Sequence, residues 1–134
     1  MLNVMNLNWL AILGATVAGF ALGGLWYGPL FGKSWMAALG KTADQLQPSP
    51  TPFIVSFITA LITAVVLAMF LSALGVVRVL DGAIVGLVIG IGFIATAMAS
   101  DSAFCGWGVK LLLIQSGYRI AYSVLMGIIL TFWR

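Results

Sequence analysis

Residues 53–74 read FIVSFITALITAVVLAMFLSAL, an uncharged apolar stretch as long as a bilayer core requires of a helix. Residues 1–32 and 82–100 are also free of charge. Over the whole chain, 63% of residues are hydrophobic, 7% are charged, and the mean hydropathy is +1.18. A soluble domain carries roughly 25% charged residues. The composition therefore predicts an all-α integral membrane protein.

Four antiparallel transmembrane helices fit the chain as one domain over residues 1–134, with spans at about 9–27, 53–74, 80–99 and 109–133. Gly28-Pro29 ends the first, since proline disfavours helix in the preceding residue. In the connection 28–52, Phe31, Trp35 and Leu39 recur every four positions, which predicts a short helix in the membrane interface. Aromatic residues near the predicted span ends are candidate interfacial anchors: Trp9, Trp26, Tyr27, Trp35, Trp107 and Trp133.

Composition also argues against several functional classes. The net charge of +3 comes from six scattered Lys and Arg residues, without the basic patch that nucleic-acid binding requires. Histidine is absent, Cys105 is the single cysteine, and the carboxylates are Asp44, Asp81 and Asp101. Zinc sites and general acid–base catalysis draw mainly on these residue types. We therefore expect no catalytic residue, metal or other cofactor.

Small residues recur every four positions on three predicted spans. Such rows let helix backbones approach closely, which packing in lipid requires because water-driven association is absent there. Either the rows pack within one chain, or at least one row faces a second copy or another membrane protein; their number favours the second. The candidate packing residues are Gly19, Gly23, Ala64, Ala68, Gly82, Gly86 and Gly90.

Arg119 lies near the middle of the fourth predicted span, where arginine costs on the order of 3 kcal/mol on insertion scales. Polar residues of three spans fall in the same half of the membrane, on the side of the 28–52 connection, here named side B. They predict a polar pocket open to side B with Arg119 at its floor. Alternatively, Arg119 pairs with Asp101 or with backbone carbonyls. The candidate pocket residues are Arg119, Gln115, Tyr122, Thr63, Thr59 and Asp101.

Two stretches resemble a known family. Asn8-Trp9 followed by residues 24–36 (GLWYGPLFGKSWM), and residues 110–118 (KLLLIQSGY), are similar to the small bacterial membrane proteins of domain-of-unknown-function family 1761. The resemblance implies four spans and brings no established activity. It also leads us to expect a Glu and a His where this chain has Cys105 and Arg119, which argues against a proton-handling role here.

The function predicted from the sequence is that of a non-enzymatic membrane protein, either a homo-oligomer or an accessory subunit of a larger membrane assembly. The alternative is a small transporter or channel for an anionic or polar solute, using the pocket at Arg119. We expect a multi-pass protein of the bacterial inner membrane, in contact with the lipid bilayer. Side B carries Lys33, Lys41 and Lys110 against Arg78 and Arg134 on the opposite side, named side A, so the positive-inside rule favours a cytoplasmic loop 28–52.

Overall fold

The computed structural model of the protein describes residues 7–41 and 49–133. Four helices in these ranges are long and apolar enough to cross a membrane: Trp9–Leu30, Thr51–Ala73, Val79–Cys105 and Val109–Phe132. A short helix, Gly32–Leu39, lies between the first and second. The predicted all-helical fold is therefore confirmed, although residues 42–48 of the predicted loop, and Arg134, lie outside the described residues.

The first span bends near its end, where the sequence predicts an interruption. It is α-helical over Trp9–Leu25 and continues as a π-helical turn over Trp26–Leu30, in which Gly28 has non-helical dihedral angles (φ −107°, ψ −105°). Pro29 cannot donate a backbone hydrogen bond to this turn. The resulting kink turns the chain back, so that the short helix begins directly beside the end of the first span.

The third span is longer than predicted and contains a second irregularity. Its α-helical parts, Val79–Ile89 and Thr96–Cys105, are joined by a π-helical turn, Gly90–Ala95. The span was predicted to end at about residue 99, before Ser100 and Asp101, but both residues are exposed and the helix continues to Gly106, whose left-handed backbone (φ 69°) terminates it. Polar residues on an outer surface leave the backbone hydrogen bonds intact, which is why they did not end the helix.

The fourth span is the centre of the fold. It packs extensively against the third and first spans and, to a smaller extent, the second, whereas the second and third barely touch each other. In the most apolar segment of the fourth span, 39% is buried inside the protein, compared with 17% in the third span. The fourth span therefore contacts all three others, the second span packs mainly on the first, and a cleft remains between the second and third.

Close backbone contact joins the third span to the fourth. A methyl group added to Gly82 would lie 2.5 Å from the Thr131 side chain, and one added to Gly86 would overlap the Ser123 carbonyl. Reciprocally, the Gly127 α-carbon faces the Gly82 carbonyl. No larger residue fits at these positions without moving a backbone.

The other small-residue rows also face the interior of the chain. A methyl group at Gly19 would lie 2.8 Å from Met126 Cε, and one at Gly23 would lie 2.9 Å from the Tyr118 hydroxyl. On the second span, Ala64 is fully buried and Ala68 packs against the core. Of the two interpretations that the sequence leaves open for the rows, the geometry matches packing within one chain.

Replacing Gly86 by Leu should loosen the third span from the fourth, because the side chain would collide with the Ser123 backbone rather than with a flexible group. Overpacking of this kind typically costs about 1–3 kcal/mol. The measurement is the thermal unfolding midpoint of the purified protein in mild detergent. Gly92→Leu in the same span is the matched control, since no atom of another helix lies within 4 Å of its added methyl group. Equal midpoints for the two variants would contradict the described interface.

Candidate functional site

Aromatic side chains from the first span, the short helix and the fourth span form one connected cluster in the side-B half of the protein. Neighbouring rings have centroids 4.7–6.4 Å apart, within the range of favourable aromatic pairs. This aromatic cluster consists of Trp26, Tyr27, Phe31, Trp35, Tyr118 and Tyr122.

The kink at the end of the first span assembles the cluster. The Phe31 amide donates to the Trp26 carbonyl at 2.8 Å, and this turn brings the Phe31 ring to 4.7 Å from the Trp26 ring. Trp26 is held in turn by the fourth span, because its indole Nε1 donates to the Ile114 carbonyl at 2.9 Å. Its ring lies over Gly117, where an added methyl group would approach it to 3.1 Å.

Two tyrosines of the fourth span donate hydroxyl hydrogen bonds to the neighbouring spans. Tyr118 and Tyr122 are one helical turn apart and therefore share a face. Tyr118 Oη donates to the Gly19 carbonyl of the first span at 2.8 Å. Tyr122 Oη donates to Thr63 Oγ1 of the second span at 3.0 Å, and Thr63 Oγ1 donates to the Thr59 carbonyl at 2.8 Å.

Arg119 lies against these two rings. Its guanidinium carbon is 5.1 Å from the Tyr118 ring centroid and 5.2 Å from that of Tyr122, both within cation–π distance. The side chain is half-buried. Arg119 follows Val109 by ten residues, so at 1.5 Å per residue it lies about 15 Å from the side-B end of the span. The Arg119 backbone therefore lies near the middle of the fourth span, and its guanidinium lies beside two aromatic rings.

Arg119 has no acidic partner among residues 7–41 and 49–133. The ion pair present in those ranges joins Arg78 Nε to Asp81 Oδ2, at 3.8 Å, on side A. Asp101, the carboxylate that the sequence offers as an alternative partner, is exposed and forms no ion pair in the described part of the chain. The Arg119 charge is consequently balanced by no fixed carboxylate of the described structure.

The other predicted pocket residues are only partly brought together. Thr63 reaches Tyr122, whereas the exposed Thr59 hydroxyl donates to the Ser56 carbonyl of its own helix at 3.0 Å. Gln115 lies one turn before Arg119 and is half-buried. No group of three or more Cys, Asp or Glu side chains lies together in the described ranges.

The predicted interfacial anchors divide into two groups. Trp26, Tyr27 and Trp35 are half-buried in the aromatic cluster. Trp9 and Trp133 are exposed at the side-A end, where Asn8 Nδ2 donates to the Trp133 carbonyl at 2.8 Å. The remaining one, Trp107, is half-buried at the turn before the fourth span.

Comparison with known families places these contacts in context. Residues 10–131 match the family described as "Protein of unknown function (DUF1761)". The chain belongs to this family. The resemblance inferred from the two sequence stretches is thereby confirmed, and the structure brings the same two stretches together, since Trp26 binds Ile114 and packs on Gly117. Searches of curated proteins and of solved structures found no significant match.

Sequence reasoning missed the part that Tyr118, Tyr27 and Phe31 have in the site. Tyr118 contacts Trp26, Tyr27, Tyr122 and Arg119, yet in the sequence it is only one more aromatic residue in an apolar helix. A usable signal was present: Tyr118 and Tyr122 flank Arg119 at the spacing of one helical turn. Tyr122, three positions after Arg119, has a spacing at which helix side chains meet, so an aromatic residue there indicates a cation–π contact with the arginine.

The Tyr122–Thr63 hydrogen bond should be measurable as a coupling between two spans. Tyr122→Phe and Thr63→Val each remove it, so the double variant should be less destabilised than the sum of the single changes. Hydrogen bonds between membrane helices average about 0.6 kcal/mol in such cycles. The measurement is unfolding free energy in detergent. The control pair is Tyr122→Phe combined with Thr96→Val. The Thr96 hydroxyl bonds its own helix, so the effects of these two changes should be additive. Additivity in both cycles would argue against the contact.

Proposed function

We propose that the protein is a non-enzymatic membrane protein that binds a small anion or an anionic group at Arg119. The observation that supports this most directly is an arginine near the middle of the fourth span, whose guanidinium lies beside two tyrosine rings and has no described carboxylate beside it. Ionisable residues within transmembrane segments commonly mark ion and substrate pathways.

The energetics favour an anionic ligand. Arginine at a span centre costs on the order of 3 kcal/mol, and a cation–π contact returns about 0.5–2 kcal/mol, more as the pair is more desolvated. The rings of Tyr118 and Tyr122 therefore offset part of the insertion cost without neutralising the charge. Charge-assisted hydrogen bonds need an acceptor in the plane of the guanidinium. The tyrosine rings do not provide this acceptor, whereas an anion in contact with the guanidinium does.

Access from side B is consistent with the packing. Ser56 and Thr59 of the second span are exposed in this half of the protein, as is Thr96 of the third. Towards side A the interior is closed by fully buried side chains, among them Ala15 and Met126. This arrangement favours a site that exchanges its ligand with one side; transport across the membrane would require the closed half to open.

We assign no catalytic step to this site. The chain has no histidine, and Cys105 and Asp101 are exposed rather than placed beside Arg119. The arginine guanidinium carries hydrogen-bond donors and no acceptor, which suits it to anion binding and not to proton transfer.

A second candidate function, as a homo-oligomer or an accessory subunit, rests on the third span. That span packs mainly on the fourth and exposes large apolar side chains such as Val88, Phe93 and Phe104. The small-residue rows no longer favour it, because they are occupied by contacts within the chain. We therefore place anion binding first.

Arg119→Gln should abolish stabilisation by anions. In nanodiscs of zwitterionic lipid, inorganic phosphate or sulfate should raise the unfolding temperature of the unmodified protein, since a ligand at one hundred times its Kd adds about 2.7 kcal/mol. The same titration should leave Arg119→Gln unchanged. Arg78→Gln, which alters an exposed arginine on side A, is the control and should respond like the unmodified protein. An identical response in all three proteins would exclude Arg119 as the site.

We also propose that the protein lies in the bacterial inner membrane with side B in the cytoplasm, where Lys33, Lys41 and Lys110 are exposed. Cys105, the single cysteine, is exposed at the side-B end of the third span and reports on this orientation directly. A membrane-impermeant maleimide should label it in lysed cells and not in intact spheroplasts.

The control for this labelling is the double variant Cys105→Ser, Val77→Cys, which places the thiol in the exposed side-A turn. It should show the reverse pattern, with labelling in intact spheroplasts. Labelling of Cys105 itself in spheroplasts would reverse the proposed orientation.

A further inference from the structure

An apolar groove opens in the cleft between the second and third spans. Its volume is about 210 Å³. The second span contributes Ile62, Val66 and Phe70 to its wall, and the third contributes Ile89, the residue before the π-helical turn Gly90–Ala95. The fourth span forms the floor at Ser123. An apolar cavity of about 150 Å³ accommodates a benzene-sized group, so this groove has room for a segment of one alkyl chain.

The polar atoms of the groove require no polar ligand. Thr63 and Ser123 line it, but Thr63 Oγ1 donates to the Thr59 carbonyl and Ser123 Oγ donates to the Arg119 carbonyl at 2.8 Å. Both hydroxyl protons are therefore used within the protein. An alkyl chain lying in the groove leaves no donor of these two side chains unsatisfied.

One end of the groove lies next to the Arg119 site. Thr63 lies in the groove wall and accepts a hydrogen bond from the Tyr122 hydroxyl. The Tyr122 ring in turn lies 5.2 Å from the Arg119 guanidinium carbon. Ser123 is one helical turn beyond Arg119. A single aromatic side chain, Tyr122, thus lies between the apolar groove and the Arg119 cation.

From this juxtaposition of the Arg119 cation and the apolar groove we infer that the ligand is a single-chain anionic lipid of the bilayer. Its carboxylate or phosphate contacts Arg119 and its alkyl chain lies between the second and third spans. The inference rests on the proposed anion site and adds the substrate class. Charge complementarity selects the headgroup, and the groove, open towards lipid through the cleft, takes one chain. Since a chain leaves bulk lipid for an equally apolar groove, the hydrophobic effect contributes little and the headgroup provides the affinity.

Photo-crosslinking tests this directly. The probe is a fatty acid with a diazirine in its chain, added to the intact protein in zwitterionic nanodiscs, and the adducts are mapped by mass spectrometry. Adducts should be enriched on residues 62–70 and around Ile89 relative to the lipid-facing surface of the first span. The methyl ester of the same probe, which lacks the charge, should show no enrichment.

Matched variants separate the groove from the headgroup site. Val66→Phe fills the groove and should remove the enrichment, while phosphate should still raise the unfolding temperature. Val17→Phe, on the exposed face of the first span, is the control and should retain the enrichment. Arg119→Gln should lose both the enrichment and the phosphate response.

The outcomes are distinguishable. Adducts spread evenly over all lipid-facing surfaces, or equal labelling by acid and ester, would overturn the groove inference even where phosphate still stabilises the protein. If phosphate does not stabilise the unmodified protein and the acid and the ester label the groove equally, both anion binding at Arg119 and the inferred anionic headgroup are refuted. Enrichment that depends on both the charge of the probe and Arg119 supports the inference.

Discussion

The contacts of the fourth span differ in kind from one neighbour to the next, and the rest of the bundle depends on them. Apolar side chains gain nothing by leaving lipid for one another, so helices in a membrane associate through close packing and hydrogen bonds. The third span meets the fourth backbone to backbone at Gly82, Gly86 and Gly127. The first span is held by the tyrosine and indole hydrogen bonds of Tyr118 and Trp26. The second and third spans both contact the fourth but barely touch each other, so a cleft remains between them.

The same contacts of the fourth span explain why an arginine is tolerated near the middle of that helix. The residues that secure the first and second spans are tyrosines, and their ring faces remain available to the Arg119 guanidinium after the hydroxyls have been used. One pair of side chains therefore performs two tasks, linking helices through the ring edge and accepting a cation on the ring face. A phenylalanine pair would accept the cation but lose the links, and a serine pair would do neither.

The sequence predicted the spans well because bilayer thickness and backbone hydrogen bonding leave few choices to an apolar chain. It also located Arg119 and the spacing of Gly82, Gly86 and Gly90. It did not predict which surface each row would meet, since a glycine row has the same pattern against its own chain as against another. The sequence also did not predict the roles of Trp26 and Trp35, because an aromatic residue near a span end is typical of an interfacial anchor. The tertiary partner of such a residue, such as the Ile114 carbonyl for Trp26, has no signature in the sequence.

The pairing of the first span with the last has a consequence for biogenesis. Gly19 and Tyr118 are 99 positions apart, and Asn8 and Trp133 are 125 apart. At synthesis rates of about 5–20 residues per second, the first helix spends roughly 5–25 s in the membrane before its partner is made. During that time its row of small residues and its kinked aromatic end are open to lipid, to the translocation machinery and to other nascent chains. The bundle thus closes only when the final helix arrives, and a ribosome that stops early leaves three helices without their common partner.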